Sequence, residues 1–436
     1  MAERQSDYTP PLYGFDERPQ GIKAILFAFQ HLLAMFSGNI LCPIIVCNML
    51  ALPHSEKTFL LQAALFSAGV ATLIQVRRIG PVGSGLPIVM GTSNAFIPTI
   101  TGIAGRYGIG AVLATGFLGG LFEGMLGAIL PKIRKILTPL VSGVVVLTIG
   151  ITLIPVGIRQ AAGGNTNFGS VENLLLSGLV LTCIVVFSQF GPIVTRSAAI
   201  MISMVIGFVA AALAGLVDFT PVAEASWVSF PSPFQYTWSV PLDALIAMLL
   251  MYTVTSAETV GDVFAITALG ENRAATIDES RGAVMADGVG SSIAAFFNAF
   301  PNTSYSQNIG VMAISGVMSR HVVQTSGIIL LILALLPKIS ALIAVMPTAV
   351  LGGAAIVLFS TVASSGLLIL RKVPLNRRNI LIIAVSAGLG IGLNAVPESL
   401  NILPDGLRLI FAETGVATST LVAILLDRIL PEAEVR

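Results

Sequence analysis

Apolar runs of about 20 residues recur from one end of this 436-residue chain to the other, divided by short charged, Gly/Pro-rich or Asn-rich breaks. A helix of that length crosses the hydrocarbon layer of a bilayer. Hydrocarbon satisfies no unpaired backbone group, so repeated runs of this kind point to an all-α polytopic membrane protein. Composition agrees, with 10% of residues charged and 55% hydrophobic. The breaks place spans near 22–50, 58–76, 85–103, 108–131, 136–155, 171–190 and 197–217. A second group follows near 241–268, 281–299, 303–317, 322–345, 348–370, 378–395 and 406–430. Between the groups, residues 218–240 are rich in Pro, Ser and aromatics and too polar to span.

Fourteen spans put both termini on one side of the membrane. Of the 23 Lys and Arg residues, 18 fall on the side of the termini and 5 on the other. The positive-inside rule then predicts cytoplasmic termini and an external 218–240 loop. The first 20 residues lack the apolar core of a signal peptide, so the first run is expected to insert uncleaved. The setting is a bacterial inner membrane or a plasma membrane.

Several function classes lose support. Net charge +1 gives no sign of a nucleic-acid partner. Cys42, Cys47 and Cys183 lie inside apolar runs and match neither a disulfide framework nor a metal spacing. No phosphate-binding G-x-x-x-x-G-K-[ST] loop, zinc-ligand spacing or G-x-S-x-G elbow occurs. No cofactor is expected, and transport would run on an ion gradient, with H+ as the coupling ion.

Two spans look unlike spanning helices. The third contains PIVMGTSNAFIPTITG (Pro87–Gly102) and the tenth FPNTSYSQNIGVMAISG (Phe300–Gly316). Each is interrupted by Pro or Gly, carries a Thr-Ser core, and is third in its group of seven. Interrupted segments at matching positions point to an inverted-repeat transporter with a midplane site. Their half-helix N-termini would aim free N–H groups into that site.

Ionisable groups inside spans are costly and ask for a role. Glu258 and Asp262 lie four apart in the eighth span and share a helix face. Desolvation and mutual repulsion oppose ionising both at once, which suits a group that takes up and releases protons. Asp262 could instead pin its helix through hydroxyls or backbone. Asp287 in the ninth span, His31 beside Gln30 in the first, and Glu123 in the fourth each admit a structural or a functional reading.

These residues carry a resemblance. Gln307-Asn308-Ile309-Gly310 followed by VMAISGVMSR is similar to the signature [Q/E]-N-x-G-x-x-x-x-[T/S]-[G/R] of the nucleobase–ascorbate transporters, also called the nucleobase:cation symporter-2 family. Gln30-His31, Glu258 with Gly261-Asp262, Asp287 in ADGVGS and Phe300-Pro301-Asn302-Thr303 match further motifs of that family, in order along residues 21–430. Ile309 stands where a second Asn is usual, Ser315 where Thr is usual, and Asn94 in GTSNAF is a further departure.

The resemblance implies a seven-plus-seven inverted repeat with short antiparallel strands in broken spans 3 and 10. The core domain would hold 21–133 (spans 1–4) and 241–345 (spans 8–11). The gate domain would hold 134–217 (spans 5–7) and 346–430 (spans 12–14), and would mediate a homodimer. Residues 1–20 and 431–436 would be cytoplasmic tails. Glu258 and Gln307 would be the main substrate ligands, with Ala95, Phe96 and Ser306 completing the pocket. His31, Asp262, Asp287 and Asn308 would support the site or its proton coupling. Gln at the signature's first position resembles the xanthine and uric acid permeases, whereas uracil-type members carry Glu there. A carboxamide both donates and accepts, which suits an oxopurine edge. The competing readings are a uracil or other pyrimidine permease of the same fold, an anion exchanger sharing the architecture, and a membrane-embedded enzyme using Glu258 and Asp262 as acid and base.

Overall fold

Apolar stretches with their backbone groups paired internally are the units the bilayer allows. In the computed structural model, which describes residues 10–130, 138–165, 167–413 and 415–431, they form the following helices. The first half holds α1 (Ile22–Met49), α2 (His54–Val76), a short α3 (Ile97–Tyr107), α4 (Ile109–Ala128), α5 (Pro139–Ala161), α6 (Val171–Phe190) and α7 (Ala199–Leu213). The second holds α8 (Leu242–Glu271), α9 (Ile277–Phe296), a short α10 (Gln307–Ser315), α11 (Arg320–Ala334), α12 (Pro337–Ala344), α13 (Thr348–Leu370), α14 (Arg377–Ala395) and α15 (Val416–Ile429). The outer parts of both expected tails and the expected domain boundary at 133/134 lie outside the described residues.

Among the described residues, α1, α2, α4, α5, α6, α8, α13 and α14 are each long and apolar enough to cross a membrane. The expected span 322–345 is not one straight helix. It is α11 and α12 meeting at 83°, where Pro337 starts a new helix because it cannot continue the old one. Nor is 303–317 a helix throughout: Asn302–Ser304 is strand β2, paired antiparallel with β1 (Met90–Thr92) in the register Met90↔Ser304, Gly91↔Thr303, Thr92↔Asn302. The two interrupted segments therefore meet each other. Part of the expected N-terminal tail packs against the protein: Tyr13 bridges Val317, and Phe15 is buried.

Local chemistry sets the helix ends. Thr276 opens α9 with a capping box, its hydroxyl accepting from Glu279 N while the Glu279 carboxylate accepts from Thr276 N. Thr138 accepts from Val141 N ahead of Pro139 at the start of α5.

Packing divides the helices into two sets. In one, α4 lies on α9, α2 on α11, and the strands rest against α2 and α9. Backbones approach closely there: a Cβ on Gly288 of α9 would sit 2.3 Å from Gly124 N of α4. In the other, α5 packs along α13, with α6 and α14 outside them. Only 22% of the most apolar stretch of α6, and likewise of α14, is buried. Their bare faces carry residues such as Leu175, Phe190 and Leu381, the surface a lipid-facing helix presents.

Candidate functional site

Strand β1 and β2 cross beside α8, and each leads into a helix whose first turn faces the crossing. After β1 comes a 3₁₀ turn, Asn94–Phe96, and then α3; after β2 comes α10. Neither the turn nor α10 has a side-chain cap; at the start of α10 the N–H groups of Asn308 and Ile309 bond instead to Tyr305 O and Ser306 O. Ser306, at the capping position of α10, donates to Asp262 Oδ1 at 2.7 Å and accepts from no N–H of its own helix.

One cavity collects these ends. Its lining includes Ser93, Asn94 and Ala95 from the first crossing segment, Thr303, Ser304, Tyr305 and Gln307 from the second, and Glu258 from α8. Val146 and Ile149 of α5 and Val362 of α13 close the other wall, so the cavity lies between the two packing sets. Glu258 also borders a second, more apolar cleft with Val141, Val254 and Thr420. Buried polar atoms without a hydrogen-bond partner concentrate on the strands: Thr92 Oγ1, Ser93 Oγ, Asn94 Oδ1, both amide atoms of Asn302, and Thr303 Oγ1. Native interiors rarely leave such atoms unpaired, which marks the crossing as a candidate polar site.

Behind the cavity the carboxyls and Asn308 are bonded to neighbouring side chains and backbone, with Glu123 Oε2 and Asn308 Oδ1 left unpaired among the described residues. Asp262 accepts from Ser304 Oγ at 2.6 Å as well as from Ser306. Asp287 on α9 is bonded by Thr259 of α8 and, at 3.5 Å, by Gln75 Nε2 of α2. Glu123 is fully buried on α4, with Thr255 Oγ1 at 3.0 Å and Ser256 Oγ at 3.2 Å on the same oxygen. Asn308 Nδ2 lies 3.1 Å from His31 Nδ1 and donates to His31 O at 3.0 Å, pinning α10 to α1.

The model of a family described as the Permease family matches residues 22–399. The chain belongs to that permease family. A xanthine permease of Escherichia coli (strain K12) is 35% identical over 446 residues, covering 98% of this chain and 96% of its own. A uric acid permease of Bacillus subtilis (strain 168) is 37% identical over 420 residues, covering 94% and 96%. Among solved structures, the transmembrane domain of a cyanobacterium bicarbonate transporter aligns with a TM-score of 0.63 at 15% identity, over 93% of this chain and 99% of that one. At that identity the likeness is one of fold. The permease is thus a mostly helical, multi-pass membrane transport protein and not an enzyme.

The structure sorts the site residues named from sequence. Glu258, Gln307 and Ala95 line the cavity of the permease. Phe96 does not: its ring is wholly buried and packs edge-on against Tyr252, centroids 4.8 Å apart, because the 3₁₀ turn points it inward. Ser306 turns to Asp262 and is absent from the lining. His31, Asp262, Asp287 and Asn308 stand behind the cavity. Sequence reasoning missed Tyr305, whose hydroxyl donates to Thr92 O at 2.7 Å and ties the two segments together. It also missed Thr259 and the apolar wall of Val146, Ile149 and Val362. Thr259 sits three residues before Asp262 and could have been found as a hydroxyl on that face. The wall residues are apolar side chains in apolar helices and carry no signal.

Proposed function

We propose that this permease is a proton-coupled symporter that imports an oxopurine nucleobase, xanthine and/or uric acid, by alternating access. One observation carries the reading. Glu258 and Gln307 face the same cavity, and among the described residues neither side chain has a hydrogen-bond partner. A carboxylate accepts from ring N–H groups, and a carboxamide both accepts from a ring N–H and donates to a ring carbonyl or nitrogen. The uncapped start of the Asn94–Phe96 turn would add backbone donors for an oxo group. The names of the Escherichia coli and Bacillus subtilis relatives support the same substrate class.

Proton coupling follows from charge. Glu258 is half-buried and forms no ion pair among the described residues. A carrier that moves this group through an apolar interface is helped by neutralising it, so a proton would travel with the substrate. The moving parts would be the core domain (21–133 and 241–345) against the gate domain (134–217 and 346–430), meeting at the cavity.

A seven-plus-seven inverted repeat of fourteen spans is supported by the way packing repeats. Numbering the segments in order and exchanging each with the one seven later turns α2 on α11 into α9 on α4, and α1 on α11 into α8 on α4. It turns α6 on α13 into α14 on α5, and α6 on α7 into α14 on α15; β1–β2 and α5–α13 map onto themselves. The reading includes a homodimer through the bare gate helices and cytoplasmic termini. A uracil permease is disfavoured by Gln at 307. An anion exchanger is disfavoured because no cationic side chain is among the described residues lining the cavity.

The test is thermal shift of the purified protein with xanthine, uric acid, hypoxanthine, guanine and uracil, followed by counterflow and pH-driven uptake in liposomes. Xanthine or uric acid should stabilise most, and a stronger shift with uracil sinks the purine assignment. Glu258→Gln should abolish active accumulation; undiminished pH-driven uptake removes Glu258 from the coupling.

A further inference from the structure

The carboxyls behind the cavity are joined through hydroxyls. Ser304 Oγ of β2 lies 2.6 Å from Asp262 Oδ2, Thr259 Oγ1 lies 3.1 Å from Ser304 Oγ, and Thr259 Oγ1 is bonded to Asp287 Oδ2. All four side chains are buried. The chain Asp262–Ser304–Thr259–Asp287 therefore has three links, and it runs from the helix that bears Glu258 through the strand at the cavity to α9.

Counting hydrogens gives the chain a property its members lack singly. A hydroxyl owns one hydrogen, and an ionised carboxylate owns none. With both carboxyls ionised, two hydrogens serve three links, and the Thr259–Ser304 contact faces oxygen to oxygen without one. One added proton completes the chain in two ways. Held on Asp287, it is donated to Thr259, Thr259 donates to Ser304, and Ser304 to Asp262. Held on Asp262, every donation runs in reverse. Passage between the two states moves one proton net: each hydroxyl gives up its own hydrogen as it receives another, so Ser304 and Thr259 end unchanged.

We infer that the Thr259 hydroxyl is a positioning residue that completes a one-proton chain between Asp262 and Asp287 and lets the proton exchange between them. The inference rests on the proton-coupled reading given above. Beyond its own two carboxyls, the titratable groups on the elements around the chain include Glu258 and Tyr252 on the same helix as Thr259, Glu123 on α4, which bonds Thr255 of that helix, and Tyr305 after β2. Among the described residues none of the carboxyls has a cationic partner, so the added proton has no salt bridge to replace it. Each end is also held in place: Ser306 donates to Asp262, and Gln75 to Asp287.

Thr259→Val keeps the shape of the side chain and deletes the relay. In proteoliposomes, xanthine counterflow needs no net proton movement, whereas accumulation driven by an imposed pH gradient does. The expected result is a ratio of accumulation to counterflow lowered about tenfold or more in Thr259→Val, with a flattened pH profile, and restored in Thr259→Ser. A Thr259→Val protein with the parent's ratio and pH profile overturns the inference. Loss of counterflow together with accumulation in both Thr259→Val and Thr259→Ser makes the hydroxyl structural and also overturns it. A parent protein whose uptake ignores the proton gradient fails differently: it removes the coupling on which the relay rests, while a coupled parent with a coupled Thr259→Val removes the relay alone.

Discussion

The two segments that cross at the centre share a plan and differ in what they present. Residues 90–96 run as strand, then 3₁₀ turn, then α3; residues 302–307 run as strand, then directly into α10. The first offers the cavity small side chains and backbone, Ser93, Asn94 and Ala95, and sends its one large ring, Phe96, away into the core. The second offers a long carboxamide, Gln307, and commits its neighbours Ser304, Ser306 and Asn308 to Asp262 and His31. Of the two crossing segments, one thus gives the cavity its shape and the other its longest polar side chain. Close approach explains the first half's economy: a Cβ on Gly91 would lie 2.8 Å from both Met35 Cε and Tyr305 Cε2, so β1 has no room for a larger residue.

The largest effect should separate the halves directly. Gln307→Ala should weaken xanthine binding about 10–100-fold, the worth of a desolvated partner left unpaired. Ala95→Gly, removing one methyl from the shaping half, should change it less than about fivefold. Equal losses in a binding titration break the division of labour. A smaller contrast lies in the strands themselves, where Gly91 and Thr303 are register partners. Gly91→Val should cost about 1–3 kcal/mol through overpacking, seen as a lower melting temperature. Thr303→Val should leave melting unchanged or raised, because Thr303 Oγ1 is buried without a partner. If Thr303→Val melts normally but binds xanthine poorly, that hydroxyl belongs to the substrate and the chemical half grows by one residue.

What the sequence made legible follows the same division. The interrupted segments stood out because polar residues at membrane depth are conspicuous against apolar neighbours, and the pairing of 90–92 with 302–304 matches the strands expected there. Glu258 and Gln307 were visible for the same reason. Direction was not visible. Phe96 and Ser306 are adjacent to lining residues, yet the local turn aims one into the core and the other at Asp262, and no residue pattern encodes that rotation. The bend between α11 and α12 was foreshadowed by Pro337, but its 83° angle depends on packing against α2. The far wall of Val146, Ile149 and Val362 could not be read at all, since an apolar residue facing a cavity and one facing lipid look alike in sequence.

The smallest effect concerns how the two halves hold the helices beneath their strands. α2, under β1, starts after Pro53 with no side-chain cap, whereas α9, under β2, has the Thr276–Glu279 box reinforced by Arg273, whose Nη2 lies 2.6 Å from Glu279 Oε1. Glu279 lies before the expected start of its span. Burial opposes its ionisation, but hydrogen bonds from Arg273 and from Thr276 outweigh that and hold it down at about 2. A carboxyl whose value is lowered by folding stabilises fully above its unfolded value of about 4.3 and loses that contribution as pH falls toward the folded value. Thr276→Ala should therefore cost about 1 kcal/mol at neutral pH. In Glu279→Gln the melting deficit relative to the parent should shrink as pH drops through that window. A deficit that persists unchanged below it assigns the anchoring to shape and not to charge, and leaves the two halves alike in how their supporting helices begin.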